Sequence, residues 1–180
     1  MTAMPCYCTM TVGGRPAARI EKPAAAGAII CRASSPILCT GRHLADPSKP
    51  EREVLGHLSR FALAHAIPVI TVPQCLRSLS AAGISDCKVL SLMEAGQRLV
   101  DPGWTTAPGR APPDLALFAG VPRMTADLLF SGLRAGAAHR LRTISLDRFY
   151  QPYATLSFPD LSPGDWVKSI TAVTGRADTK

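Results

Sequence analysis

No stretch of this sequence reads Gly-x-Gly-x-x-Gly, none reads Cys-x-x-Cys, and no glycine-rich loop ends in Lys-Ser or Lys-Thr. The first absence removes the usual pyrophosphate cradle of a dinucleotide-binding sheet. The second removes a paired-thiol redox motif and the simplest zinc half-site. The third removes the mononucleotide phosphate loop. Histidine is scarce: His43, His57, His65 and His139 make up the whole set. His57 and His65 fall in one helical stretch, about two turns apart and too far to share a metal. No His-x-x-x-His or His-Cys spacing occurs, so neither a histidine metal site nor histidine catalysis is expected. Ser131-Gly132 and Ser145 lack the strand-turn-helix context of a nucleophile elbow. No apolar run reaches the ~18–20 residues of a membrane span. The longest candidate, residues 61–72, is interrupted by His65 and Pro68. No basic-then-apolar leader is visible at the N-terminus, so the expected location is the cytoplasm, with no membrane association.

Acidic residues are outnumbered, 13 against 20 basic ones, for a formal charge of +7. The basic side chains are scattered singly, so no nucleic-acid arm is expected. Their densest zone is Arg134, Arg140, Arg142 and Arg148, either an electropositive face for an acidic partner or anionic cofactor, or a solvated surface. The six cysteines are irregularly spaced. Cys31 and Cys39 lie in apolar surroundings and read as buried thiols. Cys6 and Cys8 flank Tyr7, and two thiols alone do not complete a tetrahedral metal site. A disulfide framework is not expected in a cytoplasmic chain of 180 residues.

What is present is alternation. Pro23 opens a helix over 24–33, followed by the apolar strand Ile37-Leu38-Cys39-Thr40, closed by Gly41. Ser48 and Glu51 have capping-box spacing ahead of a helix carrying Val54, Leu58, Phe61 and Ala62. Residues 68–72 form a second strand stopped by Pro73. Residues 87–92 form a third, followed by a short helical piece over 93–99. Residues 113–120 are the clearest buried strand. They run through Val121-Pro122 into a helix carrying Met124, Leu128, Leu129 and Leu133, up to Gly136. Residues 141–147 are the last clear strand. The fold class is therefore α/β, a three-layer parallel sheet with helices on both faces, with a Rossmann-like strand order as the default. The expected organisation is an N-terminal arm over 1–20, one domain over 21–175 and a tail over 176–180. If a dinucleotide binds, the turns at Thr40-Gly41 and Gly120-Val121-Pro122 flank the crevice at the switch of strand direction. They are otherwise ordinary turn glycines. Asp147 and Arg148, at the end of the last strand, complete that candidate crevice. With no second carboxylate beside Asp147, a structural role is expected for it, and no catalytic residue is expected anywhere.

The segment 141–166 is the densest in information. It reads as strand, aromatic loop, short extended piece and capped helix. Ser162 is the N-cap, Pro163 the first helical residue and Asp165 the third, with Trp166, Val167 and Ile170 on one face. Within it, Thr143-Ile144-Ser145-Leu146-Asp147-Arg148-Phe149-Tyr150-Gln151-Pro152, continued by Leu156-Ser157-Phe158-Pro159-Asp160-Leu161, resembles the hallmark of a known family. This is the epsilon subunit of the archaeal carbon monoxide dehydrogenase/acetyl-CoA synthase (acetyl-CoA decarbonylase/synthase) complex. Matches in the right order also occur at 33–41, Ile67-Pro68-Val69, Asp101-Pro102-Gly103-Trp104 and 114–122, so the resemblance covers about residues 18–172.

The resemblance implies a Rossmann-like fold of the kind found in FAD- and NAD-binding domains, and an accessory subunit of one-carbon metabolism and methanogenesis. Its partner would be the metal-cluster-bearing alpha subunit, in an alpha2-epsilon2 assembly that oxidises carbon monoxide. The clusters belong to alpha, and epsilon stabilises alpha or helps electrons reach FAD, with no catalytic residue of its own. The aromatic residues Phe149, Tyr150, Tyr153 and Phe158 are then expected to serve packing or docking. The chain departs from the family at Arg123-Met124-Thr125, where a run of tyrosines is usual. It departs again at Tyr153 and Asp160, where asparagines stand. Two other readings remain open. One is an independent flavin- or nucleotide-binding electron carrier with an open crevice between Gly41 and Gly120. The other is a stand-alone Rossmann-like domain.

Overall fold

A computed structural model describes residues 15–48 and 50–175. In chain order the elements are β1 (Ala18–Arg19), α1 (Pro23–Arg32), β2 (Pro36–Thr40), α2 (Glu51–Ala64), β3 (Val69–Thr71), α3 (Leu76–Ala81), β4 (Cys87–Val89), α4 (Leu92–Val100), β5 (Leu115–Ala119), α5 (Arg123–Ala137), β6 (Arg142–Ser145), β7 (Leu156–Ser157) and α6 (Pro163–Thr174). Short 3-10 turns at Arg42–Ala45 and Pro73–Cys75 follow β2 and β3. Among the described residues no helix is long and apolar enough to cross a membrane.

The seven strands of the described residues lie in one parallel sheet, in the order β1-β7-β6-β5-β2-β3-β4. From β2 the chain winds outward one way through β3 and β4. It then returns to β5, beside β2, and winds the other way through β6 and β7. This is the doubly wound Rossmann order, with its change of direction between β2 and β5. Right-handed crossovers running in opposite directions put their helices on opposite faces. Accordingly α1, α2 and α6 pack together in one layer, and α4 packs on α5 in the other. The expected three-layer architecture is the one observed; a dinucleotide site does not follow from it.

The core lies along β5, whose five residues, Leu115–Ala119, are buried on both faces. Such a strand has no polar face to alternate, which is why it reads as a continuous apolar run. Phe118 meets Phe130 of α5 edge-on, with ring centroids 5.0 Å apart. On the other face, α1 and α6 approach closely at Gly27, where a side chain would collide with the Val173 carbonyl oxygen.

Several local expectations are corrected. On α5 the inward residues are Ala126, Leu129, Phe130, Leu133 and Ala137. Met124 and Leu128 point away from the sheet and are 83% and 66% exposed. The spacing 126, 129, 130, 133, 137 defines the buried face, and Met124 and Leu128 lie opposite it. Ser48 does not cap α2. Pro50 holds the N-cap position, and the Ser48 hydroxyl donates to the Glu51 carboxylate instead. Cys31 is exposed, at the end of α1, while Cys39 is buried. The end of the expected arm, Ala18–Arg19, adds an edge strand against β7. Cys6 and Cys8 lie outside the described residues.

The β2 and β5 turns touch. A Cβ on Gly41 would lie 2.3 Å from the Gly120 carbonyl oxygen, a backbone atom held by the sheet. Gly41→Ala is expected to cost about 2–3 kcal/mol, the upper range for overpacking. Gly132, in the middle of α5, has nothing within 4 Å of that position. Gly132→Ala is expected to add about 0.5–1 kcal/mol by removing glycine from a helix interior. Urea titration of both variants checks the pair.

Candidate functional site

The carboxyl ends of β2, β5 and β6 meet at one place, the end of an open sheet where ligands normally gather. β5 finishes at Ala119, and Gly120 then takes a φ of 74°, which only glycine adopts without strain. This turn aims the backbone N–H groups of Gly120 and Val121 toward the end of β6. Asp147, two residues past that strand, places its carboxylate there. It accepts from the Gly120 N–H at 2.5 Å and from the Val121 N–H at 3.1 Å. Turn amides ahead of a helix suit an anion, because the N–H dipoles and the start of the helix favour negative charge. Here the chain supplies the acceptor itself, the Asp147 carboxyl. Burial pushes the Asp147 carboxyl up to about 7, against the two N–H donors, which pull it down.

The neighbouring turn is closed as firmly. The Gly41 N–H donates to the Ala119 carbonyl, and the His43 N–H donates to the Gly120 carbonyl. The Gly41 carbonyl accepts from the Leu44 N–H and from the Cys75 thiol, which burial pushes up to about 11. Leu44 fills the space beside Gly120, where an added Cβ would lie 2.6 Å from its Cγ. Thr40 turns its hydroxyl to Thr71 at 2.8 Å, inside the sheet. The candidate crevice residues therefore divide. Gly120, Val121, Asp147 and Arg148 line a cavity of about 160 Å³ together with His43, Glu51, Arg123, Phe149, Gln151 and Trp166. Thr40 turns to Thr71 of β3 and Gly41 packs on Gly120, so neither lines this space, and Pro122 is the N-cap residue of α5. The cavity is well below the ~300 Å³ at which small-molecule pockets begin.

The aromatic tail is tied into the same corner. Trp166 Nε1 donates to the Leu146 carbonyl at 2.7 Å, pinning α6 to the end of β6. Ser162 caps α6 by accepting from the Asp165 N–H, as its sequence position foretold. The Leu161 N–H donates to the Arg148 carbonyl, and the Tyr150 N–H to the Asp160 carboxylate. The Tyr150 hydroxyl reaches the Ala17 carbonyl at 2.7 Å, fastening β1 to the tail. Phe158 is wholly buried, Tyr150 nearly so and Tyr153 half-buried. Phe149 remains at the surface, 37% exposed, with the Arg148 guanidinium 4.3 Å and the Arg123 guanidinium 5.4 Å from its ring centre. The arginine zone is partly spent within the fold. Arg134 donates to the Arg15 and Pro152 carbonyls, and Arg140 to the Leu99 carbonyl.

Further spaces lie toward the amino end of the sheet. One, of about 390 Å³, sits between Ile67, Pro68, Cys87, Lys88 and Arg110. Another, of about 310 Å³, brings Cys31 to His65, Sγ to Nε2 3.9 Å. That pairing joins residues 34 positions apart and leaves no sequence spacing to find it by. Among the described residues no group of three His, Cys, Asp or Glu could hold a metal.

Comparison with known proteins bears on this geometry. The family model described as "CO dehydrogenase beta subunit/acetyl-CoA synthase epsilon subunit" matches residues 1–173. The acetyl-CoA decarbonylase/synthase complex subunit epsilon of Methanothermobacter thermautotrophicus is 27% identical over 159 residues, 88% of each chain. Subunit epsilon 1 of the same complex from Methanosarcina barkeri is 26% identical over 84% of this chain and 85% of its own. Its counterpart in Archaeoglobus fulgidus is 29% identical over 78% of this chain and 73% of its own.

The Asp147 carboxyl generates a pH prediction. Its pKa is raised from 3.8 to about 7, so between those values the folded chain holds a proton that the unfolded chain has lost. Stability from this group is then greatest at low pH and declines as pH rises through that window. Relative to Asp147→Asn, the unaltered chain should lose stability between pH 4 and pH 7, with the difference levelling off above about 7. Denaturant midpoints of both proteins across pH 4–8 check it.

Proposed function

The chain belongs to the CO dehydrogenase beta subunit/acetyl-CoA synthase epsilon subunit family, and from that membership we propose that it is an epsilon-type accessory subunit of an acetyl-CoA decarbonylase/synthase complex. In this reading it has no active site of its own. It binds the large, metal-cluster-bearing alpha subunit, two copies of each in the assembly, and stabilises it. The observation that carries this reading is the Asp147 carboxylate on the Gly120 and Val121 amides. The position that would grip a ligand phosphate in a doubly wound sheet is taken by the chain's own side chain. What remains of the sheet is a rigid scaffold, and a scaffold suits a subunit that works by binding a protein.

Assistance to electron transfer through FAD is the other family role. The residues at the switch point do not fit an FAD. The two turns touch, Leu44 occupies the space beside Gly120, and the amide donors are already bonded. The independent flavin-carrier reading therefore draws no support from this corner of the molecule.

Co-expression with the alpha subunit tests the proposal. The two chains are expected to co-elute from size exclusion as one assembly containing equal numbers of each. The thermal midpoint of alpha should rise in its presence, since a ligand that binds only the folded state stabilises it. Elution of this chain alone, beside soluble alpha, would overturn the reading. A second measurement bears on the flavin. Titration of the isolated chain with FAD should leave flavin fluorescence unquenched up to about 100 µM, an affinity floor near −5 kcal/mol.

A further inference from the structure

We propose that the outward face of α5, with Phe149 beside its first turn, is the surface on which the partner subunit docks; this rests on the subunit reading above. A helix that covers a sheet normally shows charged residues to water on its far side. α5 does not. The side opposite its buried residues carries Met124, Leu128, Ser131 and Ala135. Met124 is 83% and Leu128 66% exposed, the two most exposed large apolar side chains described. They stand one helical turn apart and form a continuous apolar step. Beside them Gly132 has nothing within 4 Å of where a side chain would begin, so another backbone can approach closely. At the start of the helix Phe149 is 37% exposed, bordered by the Arg123 and Arg148 guanidinium groups. Met, Phe and Arg are the residue types enriched where protein surfaces meet. An apolar stripe edged by cations marks an interaction site, not a solvated face.

The charge of this border selects the occupant. α5 carries one acidic residue, Asp127, and it lies within reach of Arg123, whose charge opposes the upward push of burial on its carboxyl. A second copy of this chain would bring another +7 toward the first. The complementary partner is an apolar helix or loop of the alpha subunit, edged by Asp or Glu side chains that meet Arg123 and Arg148. Met124 and Leu128 lie outside the carboxyl-end cavity, while Phe149, Arg123 and Arg148 form part of its lining, so the face runs from that corner along the outer side of α5.

Binding of the full chain to the purified alpha subunit, followed by biolayer interferometry, tests the assignment. Met124→Glu/Leu128→Glu is expected to weaken binding at least about 100-fold, as loss of a central apolar contact does. Leu63→Glu, at an exposed position of α2 in the other helix layer, should stay within about threefold of the unaltered chain. Arg148→Ala should lower the salt dependence of the association rate. Met124→Glu alone, at a side chain 83% exposed, provides a second variant whose thermal midpoint should not move. Retention of near-normal affinity by both acidic variants would overturn the α5 face while leaving the subunit reading intact. Failure of the unaltered chain to bind alpha would overturn both. A dimer of the isolated chain that the double variant abolishes would assign the face to a second copy and overturn the proposal.

Discussion

Much of this structure depends on one carboxylate meeting two backbone amides. β5 and β6 are neighbours, yet their carboxyl ends would splay, because β5 must turn sharply into α5 while β6 runs on into an irregular tail. Asp147 joins them by accepting from Gly120 and Val121. The joint sits on the β2 turn, since Gly41 packs on Gly120 with no room for a side chain on either. It also carries the tail, through Trp166 on the Leu146 carbonyl one residue away. A second aspartate does comparable work at the amino end of the sheet, where Asp114, at the start of β5, accepts from the Ser34 and Ser35 N–H groups ahead of β2. β5 is thus held by a carboxylate at each end, to β2 at its amino end and to β6 at its carboxyl end. Neither aspartate contacts a basic side chain in these bonds; both use backbone dipoles.

That arrangement changes what a doubly wound sheet is for. In a nucleotide-binding relative of the architecture, the amides at the switch point stay free for a phosphate, and glycines keep the approach open. Here the glycines serve backbone-to-backbone contact and the amides are satisfied internally. The donors that would have served a ligand instead stabilise the protein, and they hold the loop 146–155 and its aromatic residues in place. Tyr150 and Phe158, conspicuous in the sequence, are inside the molecule because the loop folds back over β7 and β1. Phe149 alone of that aromatic pair at 149–150 is turned outward.

Under the proposed reading, the outward surface is where a partner is met. The two helix layers are unequal in dress. The side with α5 shows Met124 and Leu128 to solvent on a helix of 15 residues, whereas its inward face is a close-packed set of Ala126, Leu129, Phe130, Leu133 and Ala137. A carboxyl-end corner closed on itself and a helix face left apolar are the two features on which the proposed role as one part of an assembly rests.

The sequence alone settled the alternation of strands and helices, the both-faces-buried strand at 115–119 and the Ser162-capped final helix. Each of these is written in residues a few positions apart, where local periodicity, proline and a capping side chain act directly. It also carried the family signature through 143–161, and it named Asp147 both as a candidate crevice residue and, for want of a second carboxylate, as a structural one. What it left undecided was every choice that depends on residues far apart in the chain. The inward face of α5 could not be told from 124, 128, 129 and 133 alone, because the sheet, not the helix, selects which stripe is buried. The two-residue strand Ala18–Arg19 is too short to show a period and exists only because β7 offers it a free edge. Cys31 meets His65, and Asp147 meets Gly120, across gaps of 34 and 27 residues that no spacing rule joins. Above all, whether the turns at Gly41 and Gly120 stood open for a ligand or closed on each other was decided by strand order. Parallel pairing of β2 with β5 brings both turns to the same end of adjacent strands, and there a glycine on each side lets them touch.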